Sequence, residues 1–340
     1  MRFIRNKQLV AACIVTLIGI LTCSAELHVY SHRHYGTDEK VNQLFTEKTG
    51  IEVKVVNADA DQLIERLRSE GKSSPADVLI TVDAGRIQRA ATEGLLQPVT
   101  SETLLAKTPA ELRSTEGLWY PFTLRMRGIV VSKEFVKDGE ITTYEDLAKP
   151  KWRGRILARS SSSSYNQALL SSIVIALGEE KARDWAAGVV GNFARPPQGG
   201  DRDQIKAVAA GLADAAITNS YYLGLLLNSE DEADRKAGQA VKLFFPNQDG
   251  RGAHTNISAA GVVKTSDNVA EAIQYLEFLV SDEVQKLYAT ETYEHPISMD
   301  LSLSPQLKTW GPFKADKAAL PKLGEAYPAA IRIFDQVGWK

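Results

Sequence analysis

Sulfur is nearly missing from this chain, which has two cysteines and three methionines in 340 residues. Both cysteines, Cys13 and Cys23, fall within the first 25 positions. A chain cleaved after Ala25 would carry no thiol, which excludes disulfide staples, thiolate metal ligands and a cysteine nucleophile from the remainder. Neither charge sign dominates. The formal net charge is −2 and no basic stripe runs through the sequence, so nucleic acid is not an expected partner. Beyond residue 25 no apolar run approaches the ~20 residues that span a bilayer. No internal repeat is present, and the one low-complexity tract is the serine run 160–164.

What is there begins with an address. Arg2, Arg5 and Lys7 precede an almost wholly apolar stretch over residues 9–21, and Cys23, Ser24 and Ala25 then offer small side chains. That is the pattern of an export signal, residues 1–25, and it places the mature protein in the periplasm. Lipidation of Cys23 is the alternative, although Thr22 just before it fits a lipoprotein site poorly. About 315 residues follow, enough for two lobes of ~100–200 residues each.

Apolar spacing predicts a regular alternation of strand and helix. Residues 27–30 read as a strand and 38–49 as a helix with Val41, Leu44 and Phe45 on one face, stopped by Gly50. Strands at 51–56 and 76–81 alternate with helices at 61–69 and 85–93. This is the signature of an α/β sheet with short links, in which ligands gather in the loops beyond the carboxyl ends of the strands. A long extended segment, 121–132, and a second at 257–263 can each carry the chain between lobes. Between them lie a strand near Ile156, helices at 166–177, 181–190 and 203–210, and a strand at 215–217. Helices at 268–280, 282–289 and 327–334 finish the chain. The expected division is 26–124 with 256–299 as lobe 1, and 125–255 with 300–340 as lobe 2, joined by a hinge.

Four tyrosines follow a predicted strand or open a predicted helix, where a cleft would lie: Tyr35, Tyr165, Tyr221 and Tyr222. A single tyrosine of this kind usually packs its ring and finds a partner for its hydroxyl. Tyr221 and Tyr222 are adjacent, and neighbouring rings face opposite ways in a strand and diverge by roughly 100° in a helix. An irregular turn is therefore expected there. A deprotonated phenol is a hard anionic oxygen donor suited to a hard, highly charged ion. Its ordinary pKa of ~10 demands an ion that polarises strongly. Ferric iron does so, whereas Mg²⁺ and Ca²⁺ prefer carboxylates and carbonyls.

The segments Tyr30-Ser-His-Arg-His-Tyr-Gly-Thr-Asp38, Ala76-Asp-Val-Leu-Ile-Thr-Val-Asp-Ala-Gly85, Tyr144-Glu-Asp-Leu-Ala-Lys-Pro-Lys-Trp-Arg-Gly-Arg155, 160–167 and Asn219-Ser-Tyr-Tyr222 resemble the iron-binding proteins of bacterial iron ABC importers. The likeness is greatest to the tyrosine-rich FutA type of cyanobacteria. It covers most of the mature chain. The Trp152 segment is common to many solute-binding proteins, while the His-Tyr loop and the Tyr-Tyr pair are the parts specific to iron. The resemblance implies the type II periplasmic binding protein fold, two α/β lobes joined by a hinge, closing on one iron ion per chain. It also implies an inner-membrane iron ABC permease as partner. A monomer is expected.

Carried over position by position, the resemblance makes Tyr35, Tyr165, Tyr221 and Tyr222 the iron ligands. His34 matches a histidine that some relatives use as a ligand and others replace by water, and both uses stay open. His32, two residues earlier, has a lesser claim. The glutamate that the better-known ferric proteins use in the loop after the second strand has no counterpart in Asn57-Ala-Asp-Ala-Asp-Gln62, consistent with a site dominated by tyrosine. Arg125 matches an arginine that the family places near the metal, where its charge would offset phenolates and hold an anion or water. The alternative makes Arg125 and Arg127 surface charges at the hinge. The serine run before Tyr165 either donates hydrogen bonds at a helix start or is a polar loop.

An exported enzyme is the first rival, but no Gly-x-Ser-x-Gly elbow and no His-Glu-x-x-His spacing is present, and the five histidines are scattered apart from His32 and His34. The expectation is a protein that is not an enzyme. The second rival keeps the fold and binds an organic solute such as a polyamine or a small anion. The third is an iron-storage or iron-protection protein. Ferric iron is the favoured ion and ferrous iron the other candidate.

Overall fold

The computed structural model describes residues 25–340. The export signal, the Cys13 and Cys23 positions and the lipidation alternative therefore lie outside the described residues, save Ala25 itself.

Ten strands form the sheet: β1 (Glu26–Ser31), β2 (Glu52–Asn57), β3 (Val78–Thr81), β4 (Tyr120–Ser132), β5 (Ile156–Leu157), β6 (Ala215–Asn219), β7 (Val241–Phe244), β8 (Ala253–Val262), β9 (His295–Pro296) and β10 (Ala315–Asp316). The spatial order is β2-β1-β3-β8-β4-β6-β5, with β7 and β9 on β4 and β10 on β8. β1 runs parallel to β2 and β3, as connections through a helix require. β4 is the joint between two halves. Its Tyr120–Met126 stretch pairs with β8, and its Arg127–Val131 stretch pairs with β6. The register slips between Pro121 and Thr123, where proline has no N–H to give the ladder.

All thirteen residues of β4 and all ten of β8 are buried. Both faces of these strands are covered, so the polar side chains they carry, Arg125, Arg127 and Ser258 among them, are buried with the apolar ones. Around the first half, Leu63, Leu67, Leu79, Ile87 and Trp119 pack on one face, and Val41, Phe45, Val78, Tyr275 and Leu276 pack on the other. Around the second half, the alternation of a strand separates Ile129, Val131, Ala215 and Ile217 from Val130 and Ala216. The former meet Trp152, Leu169 and Trp185; the latter meet Ile205, Val208 and Leu223.

The helix at Leu323–Val337 is shared. Leu323 belongs to the first core and Ala330, Ile333 and Phe334 to the second. Its first turn touches the helix Ala84–Thr92 backbone to backbone. A Cβ on Gly85 would lie 2.8 Å from the Gly324 nitrogen, so no side chain fits between them. Sequence spacing finds most elements to within a few residues. It stops short on this helix, which the pattern alone begins at 327, and it leaves unassigned the helices Glu102–Lys107, Ser220–Leu227, Glu232–Ala240 and Pro305–Trp310. No helix among the described residues is long and apolar enough to cross a membrane.

Candidate metal centre

Each candidate tyrosine stands at the start of a helix. Tyr35 is the N-cap of Gly36–Thr49, and the Asp38 carboxylate accepts its N–H at 3.1 Å. Tyr165 lies in the first turn of Ser164–Leu177, while Tyr221 and Tyr222 open Ser220–Leu227 directly after β6. Three distant stretches of chain thus bring phenols together. The hydroxyls of Tyr35 and Tyr221 are 2.9 Å apart, and Tyr221 donates to Tyr165 at 3.2 Å.

The Tyr-Tyr pair corrects one expectation. It lies in a regular helix and not in an irregular turn. Two long side chains, each turning about its own torsions, close the ~100° between consecutive helical positions. Their ring centroids come to 4.3 Å with the planes tilted by 35°. Tyr221 is fully buried and sets its ring edge-on to Tyr35 at 6.1 Å.

Burial, reinforced by the neighbouring phenols, raises Tyr35, Tyr221 and Tyr222 well above the ordinary tyrosine range. Arg125 pulls the other way on Tyr221. These three phenols are accordingly neutral at physiological pH. Only a strongly polarising occupant can strip their protons, and acid opposes that occupant.

The loop carrying Tyr35 is clamped from below by Arg33, a residue the sequence does not single out. Its guanidinium donates to Asp38 Oδ1 at 2.7 Å, to Ser258 Oγ at 2.7 Å and to Glu294 Oε2 at 2.8 Å, and it lies 5.3 Å from the Tyr35 ring centre. Glu294 is fully buried, and the two arginines beside it, Arg33 and Arg125, offset the burial and hold its carboxyl below the usual range.

Arg125 and Arg127 are 3 % and 1 % exposed, which rules out the alternative that they are surface charges. Arg125 donates to Ser258 Oγ at 2.8 Å and to the carbonyls of Ile257 and Val82, and stands 3.5 Å from Glu294. Arg127 sits on the other side of the centre. It donates to Asp201 at 2.8 Å, to Asn166 at 2.7 Å and to Asn219 at 3.2 Å. Asp201, Asn166 and Asn219 are all buried and were not legible as site residues, because nothing in a sequence marks a polar side chain whose partner is over 30 positions away.

The histidines part company. His34 is exposed and stacks on Tyr35 at 5.0 Å. His32 turns toward Asp59, 3.3 Å from its Nε2, and burial lowers its pKa to about 4, so it stays neutral. Asp61, in the first turn of the helix Ala60–Glu70, pairs with Arg86 and Arg89. Among the described residues no three His, Cys, Asp or Glu side chains gather into a group able to hold an ion. The converging donors here are phenols. The serine run folds on itself, with Ser160 and Ser162 hydroxyls 2.6 Å apart, and Ser163 caps its helix without a side-chain bond. A cavity of about 1020 Å³ opens beside the centre, with His34, Arg86, Arg159, Ser163, Tyr165 and Tyr222 in its wall.

Residues 40–316 match the model of the bacterial extracellular solute-binding protein family. The chain belongs to that family. Within it, this solute-binding protein is 49% identical to iron uptake protein A1 of Synechocystis sp. over 315 residues, 93% of this chain and 88% of the relative. The structure of a Trichodesmium protein, named IdiA and FutA, in complex with iron and citrate superposes with a TM-score of 0.87 at 48% identity, covering 93% of this chain and all of that one. A ferric binding protein from Campylobacter jejuni superposes at 0.88 and 42% identity, covering 92% and 100%. The solute-binding protein has the type II periplasmic binding fold of these neighbours.

Proposed function

We propose that the protein captures one iron ion, ferric by preference, between phenolates of Tyr35, Tyr165, Tyr221 and Tyr222, and delivers it to an inner-membrane ABC permease. The observation that carries this reading is the meeting of the Tyr35, Tyr221 and Tyr165 hydroxyls within hydrogen-bond distance. Phenols that already touch need only lose protons to become a nest of hard anionic oxygens, and ferric iron supplies the driving force. The names of the close relatives, an iron uptake protein and ferric or iron-bound binding proteins, support the same ion. They do not support an organic solute.

His34 is the one candidate donor beside the phenols that is open to solvent, so it is read as a ligand that joins on closure or yields to water. Arg125 supplies fixed positive charge next to Tyr221. The first half of the sheet brings His34 and Tyr35, the second brings the other three tyrosines, and hinge closure draws the halves onto the ion. The protein acts as a periplasmic carrier and not as an enzyme, working as a monomer without nucleic acid.

Titrating the purified mature protein with ferric iron while recording visible absorption tests the reading. A charge-transfer band that saturates at one iron per chain is expected, weakened in Tyr222→Phe. A colourless protein that takes up no ferric iron overturns it.

A further inference from the structure

Four of the guanidinium–ring contacts in the molecule fall on the candidate ligands. Arg33 faces Tyr35, Arg202 faces Tyr222 at 5.9 Å, and Tyr165 has two: Arg127 at 5.8 Å and Arg159 at 5.2 Å from its ring centre. The last pair differ in how they are held. Arg127 spends its donors on Asp201, Asn166 and Asn219 and is a structural strut. Arg159 is only partly buried, lines the cavity, and has Asp201 at 3.7 Å as its sole ion-pair partner among the described residues.

We propose that Arg159, steered by Asp201, sets the electronic character of Tyr165 as an iron ligand by lying against its ring without touching the ion. The inference rests on the reading of Tyr165 as a ligand. A positive charge over an aromatic face is attracted to it, and more so when the ring is anionic and partly desolvated. It lowers the energy of the phenolate electrons, so moving one toward ferric iron takes more energy. It also makes the ferric state less favourable relative to the ferrous state, since a cation near the centre repels the higher charge. Arg159 would thereby raise the reduction potential of the bound iron.

The test compares wild type, Arg159→Gln, Arg159→Lys and Arg89→Gln, each saturated with iron supplied as ferric nitrilotriacetate. Arg89 lies in the same cavity wall but pairs with Asp61 and Glu93. The Arg159→Gln band is expected to move to longer wavelength and its iron to a lower reduction potential. Arg159→Lys should recover part of the potential, because charge returns without the flat face. Arg89→Gln should leave the wavelength where it was. An unmoved band in Arg159→Gln, or an equal shift in Arg89→Gln, overturns the inference while leaving iron binding intact. A wild-type protein without any band overturns the ligand reading and this inference together.

Discussion

The two sides of the candidate centre are built with different charge balances. On the Tyr35 side, the Arg33 and Arg125 guanidiniums face the Glu294 and Asp38 carboxylates, two against two. On the Tyr165 side, Arg127 and Arg159 share the single carboxylate of Asp201, two against one. Balanced charges satisfied by hydrogen bonds hold a loop in place and contribute little field outside themselves. A surplus cation contributes field. The first side therefore mainly fixes geometry, with Arg125 alone also favouring an anionic Tyr221, and on the proposed reading the second side holds the surplus charge that compensates anionic ligands. A cluster of phenolates around one ion needs both, because each phenolate added to a buried site costs desolvation and repels the others.

The comparison can be broken most severely at Glu294. Glu294→Gln leaves Arg33 and Arg125 buried with one carboxylate between them, and a loss of about 3–5 kcal/mol is expected from urea unfolding of the iron-free protein. A loss under about 1 kcal/mol would mean that this side is not the fixed one. Next in size is Tyr221→Phe, which removes the hydroxyl in contact with both Tyr35 and Tyr165. Ferric affinity, measured by chelator competition, should fall by on the order of 100-fold, the upper end of what even an outer-shell change costs. The empty protein should lose no more than about 1 kcal/mol.

Acid sharpens the contrast through His254 and His295, both fully buried and both lowered by that burial to about 3. The unfolded chain takes up these protons near pH 6.5 and the folded one does not. Stability is thus complete above about pH 6.5 and falls as pH drops toward 3, by ~1.4 kcal/mol per pH unit for each histidine. His295 sits among Phe245, Trp310 and Phe313, and among the described residues neither ring nitrogen has a hydrogen-bond partner. His295→Phe should flatten the slope of urea midpoint against pH between 6 and 4. The smallest effect is expected at Asp59→Ala, which removes an exposed carboxylate beside His32. Stability should change by under about 0.5 kcal/mol and ferric affinity by less than about twofold, since the centre draws on phenols. A large fall in affinity would make Asp59 a ligand and the site a mixed one.

Much of this was legible in the chain beforehand, and the reason is local. The helix after Tyr35, the long buried strands and the four tyrosines declare themselves through spacing and position, because periodicity and loop placement are properties of short stretches. What stayed hidden depends on distance. Arg33 meets Glu294 across 261 positions, and Arg127 meets Asp201 across 74. The Ser220–Leu227 helix is hidden in the sequence for another reason. It is nearly all apolar and short, so its pattern has no polar face to give a period. Pro328 hid the start of the last helix, since a proline within a pattern reads as a boundary.

That last helix has a consequence for how separately the two halves can fold. Leu323 completes one core, and Ala330, Ile333, Phe334 and Trp339 complete the other. Neither core is closed without this stretch, so neither half is an independent folding unit. Loss of the helix would open both cores at once, and the two halves should therefore unfold in a single cooperative step.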